Sequence, residues 1–222
     1  MTDHTPPPAP DSIRLQILAT EHWSLLASRS LAWNETSARA GMFLTTLSGA
    51  IVALALVSQA SHFGESFRLF GLVILPVVLF IGLGTLFRVD ASNYHDSRCV
   101  IGMNRIRAAY LQLAPELEPY FVMGTTDDDR GIGLTMGIDA NMFGLGHFLS
   151  ATPILIATVN SMLVAGIAAL AALELSAGRG GALAIGAAGF LIAAFVQGRY
   201  GRNRIAGIRE RYVPMFPTDA SS

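Results

Sequence analysis

The chain has 222 residues, of which 52% are hydrophobic and 14% charged, with a formal net charge of -1 and a mean hydropathy of +0.48. So apolar a composition excludes an ordinary soluble domain, and a near-neutral charge lacks the basic face that a nucleic-acid partner calls for. A single cysteine, Cys99, excludes an internal disulfide or a zinc site built from the cysteines of one chain, and reads as a small buried side chain.

Every basic residue is arginine, which suggests a GC-rich bacterial genome through codon usage. Residues 1–10 are Pro-rich and form an expected disordered tail. They lack the basic start and apolar run of a signal peptide, so no cleavage is expected. From Asp11 or Ser12, either of which can cap a helix, Leu15, Leu18, Ala19, Leu25, Leu26 and Trp33 share one broad helical side that His22 and Arg29 interrupt. Glu35 and Arg39 follow at i,i+4 spacing and can pair at headgroup level, with Trp23 and Trp33 suited to the interface.

Residues 41–57 and 69–87 are two apolar segments around a polar turn at 58–68, each about as long as the roughly 20 helical residues that span a bilayer core. In the first, Thr45, Thr46 and Ser48 can bond backbone carbonyls, a neighbouring helix or the lining of a pore. In the second, Pro76 removes an amide near the centre and predicts a kink, while Gly82 and Gly84 permit close helix approach. These spans read as parts of two long helices, 11–57 and 69–114, that continue beyond the membrane.

The densest polar cluster, Arg88, Asp90, Asn93, His95, Asp96 and Arg98, follows directly and reads as a solvated interfacial collar. Asp90 and His95 are five apart, too poor a helical spacing for paired metal ligands. Glu35 and Arg39 could face Arg88 and Asp90 as an interfacial network. Further on, Cys99, Met103, Ile106, Tyr110, Leu113 and Leu117 step by four and three residues, a coiled-coil-like seam expected to join copies of the chain.

Pro115 and Pro119 end that helix, and residues 115–150 read as a Gly- and Asp-rich connection, mostly loop from 124 to 146. Asp127-Asp128-Asp129 fails the EF-hand pattern, since Ile132 and Ile138 stand at its sixth and twelfth places. It is expected to be a solvated acidic loop. Gly131, Gly133 and Gly137 echo a nucleotide-binding loop with the wrong spacing and no preceding strand. Phe143, Leu145, Phe148 and Leu149 are expected to graze the interface.

A third span is expected at 152–173, where Asn160 and Ser161 form a polar pair that can join helices or line a pathway. A fourth, at 182–196, carries Ala182, Gly186, Gly189 and Ala193 at close-packing spacing. The turn 176–181 makes these a second hairpin. An Arg-rich tail, 199–222, closes the chain. His4, His62 and His147 are scattered, and the chain has no Gly-x-Ser-x-Gly, no His-Glu-x-x-His and no lysine. No catalytic residue, cofactor or metal is therefore assigned.

The stretch 15–35, LQILATEHWSLLASRSLAWNE, followed by a two-span hairpin, resembles uncharacterised four-pass integral membrane proteins of high-GC bacteria, a resemblance that implies no activity. Its architecture also looks like the two-span effector domains that accompany second-messenger sensors in bacterial defence, although this chain adds a second hairpin and shows no recognisable sensor. The expectation is an all-α, multi-pass inner-membrane protein with two transmembrane hairpins and long cytoplasmic extensions. Arginines crowd the side holding both termini and the central region, which places that side in the cytoplasm. A non-enzymatic structural or regulatory role leads, with an oligomeric pore as the alternative. Expected partners are the lipid bilayer and either another copy of the chain or a different membrane protein.

Overall fold

A computed structural model describes residues 10–137, 152–209 and 212–218, with 205–209 described through their backbone alone. Among the described residues the chain is helical and has no strand. Helix α1 runs Asp11–Ser61, α2 runs Glu65–Leu113, a 3-10 turn spans Pro115–Tyr120, α3 is Asp129–Met136, α4 is Thr152–Glu174 and α5 is Arg179–Arg209. The disordered tail expected before Pro10, Phe143 to Leu149, His4 and His147 lie outside the described residues.

Four of these helices, α1, α2, α4 and α5, are long and apolar enough to cross a membrane. Both long helices run past the span limits read from sequence, and α2 carries Pro76 inside it. The turn joining them is three residues wide: Phe63 and Gly64 donate to the Ser58 and Ser61 carbonyls at 3.2 and 2.8 Å. His62 and Phe63 hold φ of 48° and 60° there, a conformation that costs a side-chain-bearing residue energy. Gly64 is required for space, because a Cβ would sit 2.8 Å from the Ser61 carbonyl oxygen.

Two compact units divide the chain. The membrane unit comprises 34–92 and 144–212 and centres on Phe43, Ala50, Val78, Leu86, Val89, Ile156 and Leu163. Its α1 and α2 run antiparallel, as Leu54 approaches Gly71 and Phe43 approaches Gly82. Its α4 and α5 are also antiparallel: Gly186 sets its backbone against Ala165 and Ala169, and Gly189 against Val164 and Ala168, close approaches that side chains would widen. Phe80, Leu183, Leu191 and Phe195 point outward, an apolar surface that lipid solvates and water would not.

The second unit comprises 1–33, 93–143 and 213–222. Here Leu25 of α1 covers Gly102 of α2, leaving no room for a Cβ. Cys99, Val100, Met103 and Ile106 are buried in this unit. Of the seam, Cys99, Met103 and Ile106 are thus packed within the chain. Tyr110 and Leu113, its last members before Leu117, are half-buried.

The Gly-rich connection also departs from expectation. Asp128 caps α3 by accepting from the Gly131 amide at 2.9 Å, and Gly137 ends the helix in a left-handed conformation with φ of 68°. A Cβ on Gly124 would lie 2.2 Å from the Gly131 oxygen, and one on Gly131 would lie 2.0 Å from the Thr126 oxygen. The glycines therefore serve backbone-to-backbone packing, and loop was the wrong reading for 129–136.

Candidate functional site

In the membrane unit three ion pairs join helices. Glu35 accepts from Arg88 through Oε1 at 3.0 Å and Oε2 at 2.5 Å, and its Oε1 also takes Arg39 of its own helix at 3.0 Å. The hydrogen bonds from Arg88 and then Arg39 hold its carboxyl down at about 2, well below the usual carboxylate range. Asp90 does not join this group but accepts from Arg204 of α5 at 3.0 Å. Arg68 of α2 pairs with Glu174 of α4 near their other ends. The network foreseen among Glu35, Arg39, Arg88 and Asp90 is divided between two helix contacts.

Deeper in the same unit, Asn160 and Ser161 are fully buried. Gln197 reaches them from α5: its Nε2 donates to Ser161 Oγ at 3.0 Å and to the Ala157 and Ala193 carbonyls at 3.2 Å, while its Oε1 accepts from Asn160 Nδ2 at 3.4 Å. Asn160 Oδ1 has no hydrogen-bond partner among the described residues. It occupies the space where a Cβ of Gly82 would stand, 2.0 Å from that position, against the Cα–H face of the glycine. A weak C–H···O contact is what that placement can supply. The sequence pointed to Asn160 and Ser161. Gln197 was missed because the expected span stopped at 196, one residue short.

Thr45, Thr46 and Ser48 lie on the exposed side of α1 and donate to the carbonyls of Gly41, Met42 and Leu44 at 2.9 Å each. Their hydroxyls are occupied by their own helix.

The second unit handles polarity differently. Arg29 of α1 meets Asp96 of α2 at 2.6 Å, and Ser28 contacts His95 Nε2 at 2.9 Å, so with Arg88 and Asp90 four of the six residues read as a solvated collar are in helix contacts. Asn104 is fully buried and hydrogen-bonded through both its amide nitrogen and its amide oxygen. Its Nδ2 donates to the Thr126 carbonyl at 2.8 Å, and its Oδ1 accepts from Thr135 Oγ1 at 2.7 Å and Arg107 Nη1 at 2.8 Å. Burial, with the Arg29 charge second, pushes the Arg107 guanidinium below its ordinary value, and burial followed by Arg107 does the same to His22. Burial and then Asp96 push the Cys99 thiol up, which suits an inert core cysteine.

Asp127 has 0% of its surface exposed and was read as part of a solvated acidic loop, which the structure corrects. Its Oδ2 accepts from Arg105 Nε at 2.8 Å and from the Met215 amide at 2.9 Å, and its Oδ1 accepts from the Phe216 amide at 2.8 Å. Burial works against the ionised form of neighbouring Asp128, yet hydrogen bonds from Thr218, the Gly131 amide and Thr126 outweigh it and hold its carboxyl low. Only Asp129 is exposed. A signal existed in the spacing of Asp128, Gly131 and Gly137, which is that of a capped short helix, whereas nothing local announced the partner 88 residues away.

Among the described residues no three His, Cys, Asp or Glu side chains come together as metal ligands. Neither a family model, nor a curated protein, nor a solved structure matches the chain.

Proposed function

We propose that this is a bacterial inner-membrane protein with a structural or regulatory role and no chemistry of its own. It is built from two transmembrane hairpins with both termini and the central region in the cytoplasm. One observation supports the role: polar groups of the membrane unit are spent on joining helices, through Glu35–Arg88, Asp90–Arg204, Arg68–Glu174 and the Gln197 cluster. A bundle tied in this way suits an anchor that holds its second unit at the membrane or docks a membrane partner. Topology is tested by alkaline phosphatase fused after Ser61, which should be active. An inactive fusion with an active cytoplasmic reporter there would reverse it.

The alternative is an oligomeric pore lined by Thr45, Thr46 and Ser48, favoured by their position on the outward side of α1. Purified chain in liposomes distinguishes the two. The anchor reading expects ion flux equal to that of empty vesicles, and sustained flux abolished by Thr45→Leu or Thr46→Leu establishes the pore instead.

A further inference from the structure

Residues 213–218, Val-Pro-Met-Phe-Pro-Thr, lie against the loop 126–128 and bend at Met215 and Phe216. Exposure alternates along them: Val213, Met215 and Pro217 point out, while Pro214, Phe216 and Thr218 are half-buried, so one side of the segment is docked. From 214 to 218 the segment has three amide N–H groups, since Pro214 and Pro217 have none. All three go to carboxylate oxygens: Met215 and Phe216 to Asp127 at 2.9 and 2.8 Å, Thr218 to Asp128 at 2.8 Å. In return the Asp127 amide donates to the Phe216 carbonyl at 3.2 Å, and Thr126 Oγ1 meets Thr218 Oγ1 at 3.3 Å. The prolines fall where no donor is needed and restrict the backbone on either side of the bend before it docks.

The receiving side is organised by groups that do not belong to the segment. Arg105 fixes the Asp127 carboxylate, and Gly131 of α3 together with Thr126 fixes that of Asp128. Asn104 in turn holds the Thr126 carbonyl. Both acceptors therefore have partners outside the segment.

We propose that loop 126–128 is a docking site for a bent peptide segment, read through its backbone amides, with residues 213–218 as the resident occupant and a free peptide of the same pattern able to replace it. The ligand class is a short peptide with amide donors at its first, second and fourth positions, the first two turned by a bend onto one carboxylate, and proline accepted at the third. Because the resident segment is tethered, it competes at an effective concentration on the order of millimolar, which sets the peptide level required. This site stands apart from the anchoring role and does not depend on it.

The test uses the intact chain in detergent and follows amide hydrogen exchange at Met215, Phe216 and Thr218 while a synthetic peptide of residues 212–222 is added to millimolar concentration. Displacement raises exchange at these three amides by about tenfold or more, with the amides of α2 unchanged. A peptide N-methylated at the positions of Met215 and Phe216 has no such effect. Exchange that stays constant at every peptide concentration, or that responds equally to the N-methylated peptide, overturns the proposal. A chain ending at Arg211 should bind the fluorescently labelled peptide saturably, and the intact chain at least ~10-fold more weakly. Equal binding to both overturns it as well.

Discussion

The two units bury polar groups by opposite rules. In the membrane unit the buried side chains are neutral, Asn160 and Ser161 with half-buried Gln197, and one amide oxygen rests on nothing better than a glycine Cα–H. Charges join its helices in three ion pairs, Glu35–Arg88, Asp90–Arg204 and Arg68–Glu174. The other unit instead buries a whole carboxylate, Asp127, and surrounds it with an arginine and two backbone amides. A charge costs several kcal/mol to desolvate, so it survives burial only when fully ligated, whereas a neutral amide can remain incompletely satisfied for less. The first arrangement joins helices, and the second secures a distant stretch of chain.

Breaking the second arrangement should have the largest effect. Asp127→Ala leaves Arg105 without its carboxylate and strands the Met215 and Phe216 amides, so a loss of about 3–5 kcal/mol is expected in denaturant unfolding of the detergent-solubilised chain. A loss below ~1 kcal/mol would show that the carboxylate is not paid for by its ligands. In the membrane unit, Gly82→Ala places a methyl where Asn160 Oδ1 now lies and close to the Phe43 ring, and overpacking of this kind costs about 1–3 kcal/mol. An unchanged melting temperature would mean that Asn160 turns away freely.

Gln197→Leu tests how much the α4–α5 cluster contributes. Intramembrane hydrogen bonds average about 0.6 kcal/mol with a maximum near 1.7, and a loss in that interval is expected. Loss of as much as Asp127→Ala would erase the contrast between the units. The smallest effect belongs to Glu35→Gln and is clearest in its pH dependence. The Glu35 carboxyl titrates at about 2 in the folded chain, below its ordinary value, so its stabilising contribution is complete above the usual carboxylate range and disappears as pH falls through about 2. The variant should be slightly less stable than the parent at pH 7 and equal to it near pH 2, and a difference that persists unchanged at low pH would assign the effect to packing.

How far the sequence was readable follows from the range of each signal. The four apolar segments, the helical class and the close packing at Gly186 and Gly189 are written in length, hydropathy and three-to-four-residue spacing, which any stretch carries by itself. Glu35 with Arg39 was visible for the same reason, being one helical turn apart. Partner choice was not. Asp90 takes Arg204 rather than Arg39, Asn160 takes Gln197, and Asp127 takes Met215 and Phe216, separations of 114, 37, 88 and 89 residues. Such pairs exist only once helix faces and the tail have met. Likewise Met103 and Ile106 advertise an apolar stripe but not what covers it, and the chain itself buries them in the unit where Leu25 covers Gly102. The sequence by itself determined which segments are helical and which faces are apolar, because those depend on local period and transfer energy. Tertiary structure alone decided that three neighbouring aspartates have three different fates, because burial and ligation depend on what arrives from elsewhere in the chain.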